Sequence, residues 1–277
     1  MNKQSVTALF QSPDAADLGI TKQGSAIMIQ NLNATTLPMC VGAPIHTLES
    51  DDVTIIMFAL DDSVSMDVVR DILIETFNEI MIDGLRGASK KTANTIVIGG
   101  LKFSRNIEPL WGGGFIKLQD LPKLSINEYQ ANGSRTNLYQ GMIDAVTAAG
   151  AYATQVFQET GTPPKVIVVS MTDGADNVRQ ATPDDVLTVT KGLSREIWKL
   201  GCAVFETWEP VDGKAIARDS GFEVFDFKKG KNADGSDETN DDVKRRFRHM
   251  MGTLSSQVIS NSQHNVGAPN SKGFWQQ

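Results

Sequence analysis

Apolar positions along this chain fall into two alternating patterns. Short, almost unbroken apolar runs occupy residues 54–60, 95–101, 166–171 and 202–208, and a shorter one lies at 221–226. Runs of this length, rich in β-branched residues and closed by turn signals, predict strands buried on both faces. Between them, apolar residues recur at steps of three and four. Val68, Val69, Ile72, Leu73, Phe77, Ile80 and Met81 form one such stripe, with Gly84 as its stop. Leu138, Met142, Val146, Ala149 and Val156 predict a helix over 137–158. Thr182-Pro183-Asp184-Asp185 is a helix start, and Val186, Val189, Leu193, Ile197 and Leu200 would line its inner face until Gly201. A short helix follows at 214–219. A last one spans 241–259, with Val243, Phe247, Met250, Met251, Leu254 and Val258 inward.

Strands alternating with helices imply an α/β fold: a doubly wound, mostly parallel twisted sheet with helices on both faces. Residues 115–118 are the candidate for one short antiparallel edge strand. Gly99 and Gly100, inside a predicted strand, point to a close backbone approach or a bulge. The ends differ from this middle. Residues 1–51 show no sustained helical period. Stretches 26–29 and 37–41 read as short strands, the second held to an edge by Pro38. The segment is either a decoration packed on the domain or a partner-binding arm. Residues 261–277 are polar and read as a flexible tail, with Phe274-Trp275 as a docking peptide or a surface patch. The organisation is thus an N-terminal extension (1–51), one α/β domain (52–260) and a C-terminal tail.

Composition narrows the function. The chain has 277 residues, 40% hydrophobic, and a formal net charge of −7. Such an acidic balance argues against nucleic acid as the main partner. Lys244, Arg245, Arg246 and Arg248 form a basic cluster on the last predicted helix. Cys40 and Cys202 stand far apart and outside any metal-ligand spacing, so both read as buried free thiols. No apolar run approaches a membrane span, and no apolar segment follows a basic start. The expectation is a soluble, cytoplasmic protein with no membrane partner.

The chemistry sits where two buried strands end. The first runs into Asp61-Asp62-Ser63-Val64-Ser65, and the second into Thr172-Asp173-Gly174. Between them lies Gly133-Ser134-Arg135-Thr136. Ligands of open α/β sheets bind outside the carboxyl ends of the strands. Oxygen-only side chains there suit a hard cation. With Asp61-x-Ser63-x-Ser65, a distant Thr136 and Asp173 in a Thr-Asp-Gly run, the chain resembles the von Willebrand factor A (VWA) domain family over residues 52–260.

That resemblance implies a VWA/Rossmann-like fold and a metal-ion-dependent adhesion site (MIDAS). Its metal residues would be Asp61, Ser63, Ser65, Thr136 and Asp173, holding Mg²⁺, with Mn²⁺ or Ca²⁺ as substitutes. It also implies an intracellular adaptor rather than an enzyme, whose partner protein supplies an Asp or Glu carboxylate to the ion. A MoxR-type AAA+ ATPase or a tellurite-resistance-like stress complex would be such a setting. Thr136 taken alone would be a helix cap, Asp62 a variable position pointing away, and Asp67 and Asp176 helix-start and turn residues.

Two alternatives remain at this point. One is a structural component of a phage particle or large assembly. The other is a haloacid-dehalogenase-like Mg²⁺ phosphatase with Asp61 as nucleophile, against which Ser63 stands where that chemistry needs an Asp. His46, His249 and His264 are dispersed and form no catalytic set.

Overall fold

The sheet grows outward from β1 (Thr54–Asp61), every residue of which is buried. In this computed structural model, the described residues are 1–88, 95–174, 176–205, 212–227 and 239–263, with backbone alone at 88, 226–227, 240 and 261–263. On one side β1 pairs in parallel with β2 (Ile96–Phe103). On β2's far edge lie two short antiparallel strands, β3 (Ile107–Pro109) and β4 (Ile116–Lys117). On its other side β1 pairs with β5 (Lys165–Thr172), followed by β6 (Trp198–Phe205) and β7 (Glu223–Phe227), all parallel. The order is therefore β3-β2-β1-β5-β6-β7, with β4 also on β2. The chain reverses direction across the sheet between β1 and β5, which leaves a crevice at their carboxyl ends.

Alternation along β1 divides the interior in two. Ile55, Met57 and Ala59 face one core, and Ile56, Phe58 and Leu60 face the other. The second core is closed by α5 (Asp67–Thr76) and by α10 (Asn240–Gln263), whose Phe247 stacks on Phe205 with centroids 4.7 Å apart. The Met250-Met251 pair is buried in this core. The basic cluster is used in ion pairs: Lys244 reaches Glu75 at 2.6 Å and Arg248 reaches Glu79 at 2.7 Å.

The first core is filled by α7 (Leu138–Thr160), in which every residue from Gln140 to Thr154 is buried. One reason is the N-terminal segment. It forms four helices, α1 (Lys3–Phe10), α2 (Pro13–Asp17), α3 (Lys22–Asn31) and α4 (Thr36–Met39), each of which packs on α7. The strands expected at 26–29 and 37–41 are therefore not formed. Asn2, Ser12 and Thr21 cap the first three helices through their side chains, and Pro13 opens α2. Helices this short draw their stability from packing rather than propensity, so their period is faint in the sequence. Val6, Phe10, Leu18 and Met28 join the first core, and Trp198 Nε1 donates to the Leu18 carbonyl at 2.9 Å.

Other boundaries also shift. Gly84 does not stop the helix after the first motif. That helix passes through a π-helical turn, Phe77–Asp83, and continues as α6 (Gly84–Ala88). In the π turn the Asn78 amide pairs with both the N–H and the carbonyl of Leu124, each at 2.8 Å. The helix from Thr182 is shorter than its apolar stripe suggested. It is α8 (Pro183–Thr190), with the Thr182–Asp185 capping box, and Ile197 and Leu200 belong to the next turn and to β6. The short helix at 214–219 is α9 (Gly213–Ser220). The expected single antiparallel edge strand is joined by a second, β3. At Gly100 a side chain would come within 2.7 Å of the Trp111 ring, so the glycine is the close approach its position implied. The loop at 228–237, positions 206–208 of the predicted strand, residues 264–277 of the tail, and Phe274-Trp275 lie outside the described residues.

Candidate metal site

Asp61 is the last residue of β1 and is fully buried. Its Oδ1 accepts from the Ser63 N–H at 2.9 Å, and its Oδ2 from the Thr172 hydroxyl at 2.6 Å. The first bond folds the chain back on itself. The second ties the end of β1 to the end of β5. Tyr129 OH donates to the Asp61 carbonyl at 2.7 Å and braces the turn from outside the motif. Burial pushes the Asp61 carboxyl up to about 7, only partly offset by its hydrogen bonds with Ser63 and Thr172; Asp173 pushes in the same direction as burial. A cation beside it would hold it ionised.

From Asp61 the donors continue as a chain. Ser63 Oγ lies 3.0 Å from Ser65 Oγ, and Ser65 Oγ donates to Asp173 Oδ1 at 2.8 Å. Ser63 and Asp173 are buried, at 3% and 4% exposure, so two sequence pieces more than a hundred residues apart share one enclosed corner.

The third piece arrives through Gly133. Its N–H donates to the Asp62 carbonyl at 2.8 Å, and its carbonyl accepts from the Val64 N–H at 2.9 Å. Any side chain at Gly133 would lie 2.3 Å from Ser104, so only glycine permits this approach. Thr136 follows, 3% exposed, with its Oγ1 3.5 Å from where a side chain on Gly174 would begin. Its N–H donates to Asn177 Oδ1 at 2.8 Å, and its carbonyl accepts from the Asn177 N–H at 3.0 Å. Thr136 is not the helix cap: that position belongs to Asn137, which makes no side-chain capping bond. Ala131, Arg135 and Arg179, all in these surrounding loops, have positive φ without being glycine. Such backbone strain is held only where neighbours over-determine the conformation.

Asp62 turns away, as expected of a variable position. Its carboxylate accepts from Ala131 N–H at 2.6 Å and Gln130 N–H at 3.1 Å, and pairs with Lys102 at 3.2 Å. Asp67 sits in the first turn of α5 and pairs with Arg70. Asp176 accepts from Val178 and Arg179 N–H groups at 3.0 and 2.9 Å, a turn role. Sequence reasoning missed three supports: Thr172, Tyr129 and Asn177. Thr172 was visible as the first member of the Thr-Asp-Gly run. Nothing in the local sequence marks Tyr129, which reaches Asp61 across 68 residues.

Ser63, Ser65 and Asp173 meet in one hydrogen-bonded chain, Asp61 accepts from the Ser63 N–H, and Thr136 stands beside Gly174; all five offer oxygen donors. That set fits a hard divalent ion, for which Ser63, Ser65 and Thr136 would be direct hydroxyl ligands. With both oxygens of Asp61 already engaged, Asp61 would act by orienting Ser63 and by its charge. Among the described residues no group of three or more His, Cys, Asp or Glu is placed to hold a metal, so a site here depends on the hydroxyls.

No protein-family profile matches the sequence, and neither does any curated protein. Solved structures do resemble it. The PilB minor pilin from Streptococcus sanguinis superposes with a TM-score of 0.50 at 14% identity, over 80% of this chain and 64% of that one. A proximal thread matrix protein of the mussel byssus, described with a zinc-occupied MIDAS motif, gives 0.47 at 15% identity, over 77% and 49%. The pilus adhesin SpaC from Lactobacillus rhamnosus GG gives 0.49 at 10% identity, over 76% and 30%. This chain thus spans from under a third to nearly two thirds of the length of these structures. The likeness to the pilin bears on the fold alone, a Rossmann-like α/β sheet with helices on both faces. Among the described residues no helix is long and apolar enough to cross a membrane.

Proposed function

We propose that the chain is a metal-dependent protein-interaction module. The observation that carries this is the Ser63–Ser65–Asp173 hydroxyl–carboxylate chain, at 3.0 and 2.8 Å, set at the carboxyl ends of β1 and β5. Mg²⁺ prefers six oxygens in near-octahedral array and is reluctant to lose all its waters. Neutral hydroxyl ligands leave such an ion electron-poor, so a carboxylate from a partner protein is a favoured sixth ligand. The surroundings suit this. Val64 and Val68 are 64% and 55% exposed and stand one helical turn apart beside the metal loop. They offer apolar contact to residues next to the partner's acid.

A non-catalytic role is the reading that Asp61 favours. A nucleophilic carboxylate needs a free oxygen facing substrate, whereas both of its oxygens are held and its side chain is sealed. The cytoplasmic setting rests on the two buried cysteine thiols, Cys40 and Cys202, and the AAA+ ATPase partner on the family resemblance alone. The test is capture of partner proteins on immobilised chain with Mg²⁺, with chelator, and with Asp173→Ala. Capture dependent on both Mg²⁺ and Asp173 is the expected result. Capture that persists in chelator would overturn metal-dependent binding. Mn²⁺ and Ca²⁺ are tested for replacement of Mg²⁺ in the same assay.

A further inference from the structure

At the opposite rim of the sheet, where β6 and β7 begin, lies a cleft of about 270 Å³. Lys191, Arg195 and Lys199 line it from the turn after α8 and from the start of β6, with Leu193 and the buried Trp198 among its walls. The chain has 33 acidic residues against 26 basic ones, so cations are scarce. Among the described residues elsewhere, Lys102, Lys165, Lys244 and Arg248 each reach a carboxylate within 3.3 Å. None of the three side chains in the cleft has an ion-pair or hydrogen-bond partner among the described residues. Among the described residues that line the cleft, Glu223 is the one carboxylate beside these three cations, an excess of two positive charges.

We propose that this cleft binds a phosphate monoester carried on a small organic group. A phosphate monoester bears about −1.5 to −2 charges at neutral pH, matching that excess, where a monocarboxylate would leave it uncompensated. The Arg195 guanidinium supplies a planar fork for two phosphate oxygens, and the two ammonium groups supply point charges. Leu193 and Trp198 give the organic portion an apolar wall. The volume sits just below the usual range of about 300–1,000 Å³ for ligand pockets, so the occupant is of aryl- or sugar-phosphate size rather than a dinucleotide. The site is separate from the metal loop and needs no divalent ion.

The test is calorimetric titration of the full chain with phenyl phosphate in chelator at low salt, beside inorganic phosphate and benzoate. Saturable one-site binding is expected. It should be at least about tenfold tighter than benzoate, tighter than inorganic phosphate, and weakened about tenfold by Arg195→Gln or Lys199→Gln. Both side chains reach solvent, so these variants should keep wild-type melting temperatures; that is checked alongside. No saturation by about 10 mM, binding unchanged in both variants, or equal binding of benzoate would overturn the proposal. Equal binding of inorganic phosphate would overturn the organic part. Retained Mg²⁺ affinity in Arg195→Gln would separate this cleft from the metal site.

Discussion

Ser65 Oγ donates to Asp173 Oδ1 at 2.8 Å, joining the loop after β1 to the loop after β5. This contact brings two distant motif pieces to one corner, where the first prediction lies. Asp173→Ala and Ser63→Ala should abolish measurable Mg²⁺ binding while far-ultraviolet circular dichroism stays unchanged. Thr172→Val removes only the hydroxyl that holds Asp61 Oδ2, and should weaken Mg²⁺ by about 10- to 100-fold, the usual cost of an outer-shell partner. Isothermal titration of each variant checks the order. Mg²⁺ affinity unchanged in both Asp173→Ala and Ser63→Ala would remove the assigned site.

Gly133 is the hinge by which Thr136 reaches the metal loop. Gly133→Ala would place a methyl 2.3 Å from Ser104 and 3.0 Å from the Asp62 carbonyl, so the 133–136 loop must move. The expected outcome is a loss of about 1–3 kcal/mol of stability, together with weakened Mg²⁺ binding. Adding Ser104→Gly removes the nearer obstacle and should restore part of both. Thermal melts and metal titrations of the single and double variants read this directly.

Asp144 gives a pH prediction away from the metal loop. It is buried in α7, where Gln140 Nε2 donates to its Oδ1 at 2.8 Å. Burial raises its carboxyl from 3.8 to about 7. A folded-state value above the unfolded one means that the neutral acid is favoured in the fold. Its contribution is fully present below about pH 4 and is lost as pH rises through about 7. Asp144→Asn keeps the acceptor and cannot ionise. Its stability relative to wild type should therefore improve from pH 5 to about 7 and level off above that, by on the order of 3 kcal/mol in all. Denaturant melts at a series of pH values measure this, and a difference that does not change with pH would contradict it.

The N-terminal helices are part of the core rather than an arm. Leu18 is fully buried and its carbonyl holds Trp198. Leu18→Ala should cost about 2–5 kcal/mol, as core truncations of Leu do, seen as a large fall in melting temperature. A variant that melts like wild type would mean that this segment is only loosely attached.

The sequence exposed the parts of this protein whose signal is local. Residues 54–60 and 166–171 announce buried strands because both of their faces are apolar, and Asp61, Ser63, Ser65 and Asp173 stand directly after them. Thr136 was legible as a residue but not as a position, since it is Gly133, packed against Ser104, that delivers it. The four helices before β1 were missed because each is too short to show a period; their caps Asn2, Ser12 and Thr21 were not read from the sequence and emerge only with the fold. The helix from Thr182 was read too long because Leu193, Ile197 and Leu200 keep helical spacing while lying in a turn and a strand. Tyr129 shows what no local pattern carries: a support that acts through one hydroxyl from a distant loop.

The covering of α7 by α1 to α4 sets an order of events at the ribosome. The first forty residues emerge with their caps and apolar faces ready, yet the helix they seat against ends at Thr160. Until that point has cleared the exit tunnel, those early helices have only one another to pack on, and Val6, Phe10 and Leu18 lack the core they join. Maturation of the nascent chain is thus gated by its middle, and a pause in translation before residue 160 would prolong its most aggregation-prone interval.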